Sequence, residues 1–197
     1  MQAPTHRQRP APTPILAGAL RGIALTLLAG LMACVSVPQN SISEALDERT
    51  GTTVTRLDRP LELVAVESRG PGSDPFAFFG TFETNRMGQR SLYLWLGLPD
   101  ETGDAGTAVV SVDGRALSLG AAVASPAALS LGAFPYANPA PWSTIRVFVL
   151  SEAALAELSG ATRIEIAVNY ASNRAARFSG DVTPRDIFSA FRGRLGL

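Results

Sequence analysis

The chain has 197 residues, 46% of them hydrophobic and 17% charged, with 17 basic and 17 acidic side chains that cancel, one histidine and one cysteine. Every basic residue is an arginine, and the arginines are dispersed along the chain, so neither a nucleic-acid groove nor a polybasic lipid patch is encoded. A lone cysteine excludes an internal disulfide, and the length suits one domain held together by apolar burial.

The first element is a leader. Arg7, Arg9 and Arg21 come before any acidic residue, and the apolar run from Gly22 to Ala33 closes in small side chains, as a secretory signal does. Twelve residues make a helix of about 18 Å, against a bilayer core of about 30 Å, so the run is short for a permanent transmembrane helix. Leu31-Met32-Ala33-Cys34 resembles the lipobox of bacterial lipoproteins. That resemblance implies cleavage between Ala33 and Cys34 and a diacylglycerol thioether on Cys34. It divides the chain into a signal peptide (1–33), a lipidated tether (34–40) and a single mainly-β domain (41–197). It also implies a bacterial envelope protein, and the non-acidic Val35 after the cysteine points to the outer membrane, facing the periplasm. Two or more acyl chains anchor stably where one is marginal, each buried methylene contributing about 0.8 kcal/mol.

Such processing removes His6 and three arginines, leaving 14 arginines against 17 acidic residues, and it occupies the only thiol. Without imidazole or free thiol, Ser/His/Asp and Cys/His nucleophilic machinery, histidine or thiolate zinc sites and haem ligation are all excluded. Without lysine, a Walker-type phosphate loop, a Schiff base and a Ser/Lys dyad are excluded too. Carboxylate chemistry is what remains, and it needs two acids brought together in a cleft. Asp100-Glu101-Thr102-Gly103-Asp104 lacks the ordered spacing of a calcium loop and reads as a solvated turn. No catalytic residue, metal ligand or cofactor is assigned.

After the tether, Ser41-Ile42-Ser43-Glu44 has capping-box spacing and predicts a short helix to about Arg49, stopped by Gly51. Strands follow at Thr52–Leu57 and Leu61–Ser68, the second with Leu61, Leu63 and Ala65 on one face and Glu62, Val64 and Val66 on the other. Residues 69–75 are loop. Phe76–Thr84 and Ser91–Leu98 should pair across residues 85–90. In the latter, Tyr93 and Trp95 oppose a row of leucines, which implies either cover on both faces or an aromatic face left open for a ligand. Ala108–Val112 and Arg115–Leu119 read as a hairpin around Asp113-Gly114. The Ala-, Pro- and Gly-rich stretch from Gly120 to Trp142 carries Phe134, Tyr136 and Trp142. It either presents these aromatics to a partner or folds them over an end of the sheet, and Ala121–Leu131 within it reads as a poor helix. A strand at Ser143–Leu150, a helix capped by Ser151 and ended by Gly160, and a clean alternation over Arg163–Tyr170 follow, as a parallel crossover or a helical detour. Arg177–Val182 suggests one more strand. Thr183-Pro184 opens a last helix with Ile187, Phe188, Phe191 and Leu195 on one face, for docking onto the sheet or for a membrane surface.

These elements predict an antiparallel β-sandwich or curved half-barrel of seven to nine strands with two or three peripheral short helices. The expected function is a non-catalytic, lipid-anchored structural or protein-interaction module that contacts the membrane through its anchor and another envelope protein through its folded domain. A glycan or small-ligand binder, and less so a carboxylate-dependent hydrolase, are the alternatives. Phe134, Tyr136, Trp142, Tyr93 and Trp95 are the candidate contacts, and Cys34 is the lipidation site.

Overall fold

Alternation along the strands sets up a sheet in which every pairing is antiparallel. The computed structural model describes residues 41–66, 76–99, 107–170, 175–180 and 184–197. The signal peptide, lipobox and tether, the loop at 69–75, the acidic run at 100–104 and the Thr183 cap lie outside the described residues. The strands are β1 (Ile42–Asp47), β2 (Thr52–Leu57), β3 (Leu61–Ala65), β4 (Phe76–Arg86), β5 (Gln89–Pro99), β6 (Thr107–Val112), β7 (Arg115–Ala116), β8 (Ala122–Val123), β9 (Ser143–Leu150), β10 (Ile164–Asn169) and β11 (Ala175–Gly180). All eleven join one sheet, and since β7 and β8 have two residues each, nine longer strands carry it. Two helices, α1 (Glu152–Gly160) and α2 (Pro184–Leu195), complete a curled, mainly-β half-barrel.

The centre is the β4–β5 hairpin. Arg86 pairs with Gln89, which leaves Met87 and Gly88 as a two-residue turn with φ of 52° and 84°. This left-handed pair matches the twist of the flanking strands. The far edge of β4 is shared, its first half pairing with β3 and its second half with β2. Asp58-Arg59-Pro60 interrupts what would otherwise be one long strand. At that break the sheet forks, β1 adding to β2 while β11, β10, β6 and β7 add in turn to β3. Beyond β5 come β9 and then β8.

Three sequence expectations are corrected. The capping box at Ser41 does not form a helix. Ile42–Asp47 is instead a strand paired residue for residue with Thr52–Leu57, and Gly51 (φ 69°) serves the turn between them. The box and the short apolar stripe of Ile42, Ala45 and Leu46 span about two turns, too little to hold a helix alone, so the adjacent β-rich partner satisfies the backbone better. The strand–helix–strand passage is not a parallel crossover, because β10 lies between β6 and β11, antiparallel to both. Ala121–Leu131 is not an α-helix: it holds β8 and a single 3-10 turn, Pro126–Leu129, closed by Ser130 in the left-handed region.

One face of the sheet is continuous and apolar. Leu61, Leu63, Phe79, Leu94, Leu96, Ile166 and Phe178 are almost wholly buried there, and α2 lies against it, its Phe188 ring meeting Phe79 edge-to-face at 5.7 Å. Phe191 is also fully buried, so this helix docks on the domain and the membrane-surface reading of its aromatic stripe does not hold. Ser151 caps α1 by accepting from the Ala154 N–H at 3.1 Å, and the Ser159 hydroxyl donates to the Phe188 carbonyl, joining the two helices. Gly160 closes α1 as its last residue without a left-handed turn.

Candidate interaction surface

On the sheet face opposite the helices, the two halves differ. Over β2, β4 and β5 runs a strap, residues 124–142, folded down by its own side chains, while Val149 on β9 stays 40% exposed on the same face. Tyr136 is its main anchor, 3% exposed, with its ring 5.2 Å from that of Trp95 and its hydroxyl donating to the Thr81 carbonyl at 2.7 Å. Room for the ring exists because residue 80 is glycine, where a Cβ would come within 2.8 Å of it. The Arg56 guanidinium lies 5.5 Å from the same ring centroid. Burial pushes the Tyr136 phenol well above its ordinary range, so it stays a neutral donor.

Hydrogen bonds fix the rest of the strap. The Gly132 N–H donates to the Asp47 carboxylate at 2.6 Å and the Thr52 hydroxyl to the Ser130 carbonyl at 3.0 Å. The bond from Gly132, joined by one from the Arg49 N–H, holds the Asp47 pKa below its usual 3.8. Trp142 tilts over Phe78 at 6.3 Å, and Phe134 is half-buried against the core.

The sequence-predicted contacts are therefore brought together, but as packing. Trp95 is fully buried, and Tyr93, stacked on Phe82 at 5.1 Å, and Tyr136 are nearly so, which leaves these three no face for a glycan, ligand or protein. Of the five, Phe134 and Trp142 keep partial exposure.

Among the described residues, the same sheet face over β3, β11, β10 and β6 carries no such cover. Val64, Val66 and Val109 are 52%, 51% and 44% exposed there, among Ala167, Ser179, Glu165 and Arg177. Glu165 pairs with Arg163 at 2.8 Å. The Asp113 carboxylate, at the β6 turn, accepts from the Thr162 hydroxyl at 2.6 Å and from the Arg163 N–H at 2.9 Å. These bonds, the Thr162 hydroxyl foremost, lower its pKa and clamp the β6 turn to the start of β10. The outward row on β10 is legible from alternation alone; that β3, β6 and β11 share the same open face needs the strand order, which no local pattern reports.

A third feature is a cleft of about 300 Å³ where Glu83, Arg90, Ser91 and Glu152 meet. Glu83 is 3% exposed and both its oxygens accept from Arg90, whose guanidinium also donates to the Leu195 carbonyl at 2.8 Å. The hydrogen bond to Glu83 raises the arginine pKa further, and the guanidinium ties the end of α2 to β4 and β5. Among the described residues, no cluster of three metal-ligating side chains occurs and no helix is long and apolar enough to cross a membrane. No protein family, curated protein or solved structure matches the chain.

Proposed function

We propose that this protein is a lipid-anchored module of the bacterial envelope that works by docking a protein on the open face of its sheet, without catalysis. The observation that carries the reading is the unequal treatment of one sheet face. Over β4 and β5 the chain's own strap provides cover; among the described residues nothing covers the same face of β3, β11, β10 and β6, where Val64, Val66 and Val109 are exposed. Val64 and Val66 at β3 and Val109 on β6 lie at the two sides of that face, with Ala167, Ser179, Glu165 and Arg177 between them, a mixed apolar and charged surface of the kind that rims and fills protein contacts. The lipobox resemblance at Leu31–Cys34 supplies the anchor, and the absence of histidine after position 6 and of lysine throughout supports a role outside nucleophilic catalysis. The interaction surface thus moves from the strap aromatics to the valine face.

Two measurements test this. Intact mass of the protein from native membranes should show a chain starting at an acylated Cys34, with Cys34→Ser left unprocessed and unacylated; a free thiol with the leader retained overturns the anchor. Val64→Asp with Val109→Asp should abolish the major crosslinked adduct formed in intact cells while the melting temperature stays within a few degrees. An adduct that survives both changes overturns the docking face.

A further inference from the structure

We infer that the occupant of the open face is a second copy of this chain, related to the first by a twofold axis lying in the face. This rests on the reading of that face as a docking surface and names its partner.

The register lays the face out. In one cross-strand row Val109 is opposite Ala167 and Ala167 is opposite Arg177; in the next, Ser111 is opposite Glu165, Glu165 opposite Ser179 and Ser179 opposite Val64. An oblique line across the four strands therefore runs through Val109, Ala167, Ser179 and Val64, all uncharged. Glu165 sits beside this line on one side and Arg177 on the other. A half-turn about it lays the face on an identical face, with valine 109 against its own copy, valine 64 against its own copy, and the Glu165 carboxylate of each protomer against the Arg177 guanidinium of its partner. That exchange is what a twofold interface requires of its residues.

The centre of the line holds Ala167 and Ser179, with the exposed Arg163 guanidinium donating to the Ser179 hydroxyl at 3.0 Å as it pairs with Glu165. The strands of the two copies then cross at an oblique angle, between the aligned and orthogonal classes of sheet packing. Arg177 has no ion-pair partner among the described residues, whereas Glu165 is held in place by Arg163. A strongly acidic or strongly basic partner fits less well, because it meets a like charge on one side of the line. A copy of the same face does not.

Sedimentation velocity of the full chain in non-ionic detergent, over a concentration series, tests this. The wild type should pass from monomer to dimer. Glu165→Arg and Arg177→Glu each create two like-charge encounters per dimer and should raise the dissociation constant about tenfold or more. The double exchange, Glu165→Arg with Arg177→Glu, should restore association, with circular dichroism melts confirming that all variants fold. A chain monomeric at every concentration, a dimer indifferent to the single reversals, or a double exchange that stays dissociated overturns the inference. A monomer that still crosslinks a different protein through Ala167 removes the second copy but leaves the docking face standing.

Discussion

The two halves of the sheet face away from the helices are built from the same kind of strand and end differently. Over β4 and β5, Phe82, Tyr93 and Trp95 lie beneath a strap pinned by Tyr136; over β3, β11, β10 and β6, the equivalent positions hold valine, alanine, serine, glutamate and arginine in contact with water. A strand dry on both sides reads as a continuous apolar run, and β5 does, from Leu92 to Leu98. A strand with one wet side alternates, and β10 does. The difference separates residues that hold the fold from residues free to meet a partner.

Removing the largest side chain under the strap should do the most damage. Trp95→Ala is expected to cost about 3–5 kcal/mol, read as a fall in the denaturation midpoint. A loss below about 1 kcal/mol would mean that the strap half is not dry. Gly80→Ala drives a methyl group into the Tyr136 ring and should cost about 1–3 kcal/mol, with a red shift of tryptophan emission as the strap lifts from Trp95. Tyr136→Phe keeps the ring and drops the bond to Thr81, for about 1 kcal/mol. On the open half, Val64→Thr should stay within about 0.5 kcal/mol of wild type, the behaviour of a surface position.

Acid sharpens the same contrast, because each half has one carboxylate clamp: Asp47 on the strap and Asp113 on the β6–β10 corner. Both have folded pKa values below 3.8, so each stabilises the fold above the unfolded value and loses that contribution as pH falls through the folded one. Thermal melts between about pH 5 and pH 2 should decline below about pH 4, and Asp47→Asn and Asp113→Asn should each flatten part of the decline. A variant as acid-sensitive as wild type would remove its clamp from the account.

Much of this division is written in local patterns. Thr52–Leu57 and Ser143–Leu150, each rich in β-branched residues, are strands with the bounds their sequence predicts, and Asp113-Gly114 makes the turn that its dipeptide predicts, with φ of 48° and 80°. The β4–β5 turn was harder, since Met87 stands where asparagine is usual, 94% exposed in a left-handed conformation. The first strand was hidden by a capping box whose spacing is helical but whose partner is a strand. Three of the five candidate contacts, Tyr93, Trp95 and Tyr136, are buried for a reason of a different kind. That Tyr136 would settle on residue 80 depends on the absence of a side chain 56 positions earlier, and proline-rich composition says nothing of which surface a loop will reach. The open face was half legible, in Glu165 and Ala167 on β10 and Val64 and Val66 on β3, but their adjacency is a property of the sheet order.

The most direct test of the central claim is site-resolved photo-crosslinking in intact cells, with a photoreactive residue placed at Ala167 on the open face or at the exposed Ala137 on the strap. The account predicts a discrete protein adduct from position 167 and none from position 137. An adduct confined to position 137 would contradict it and return the interaction to the strap.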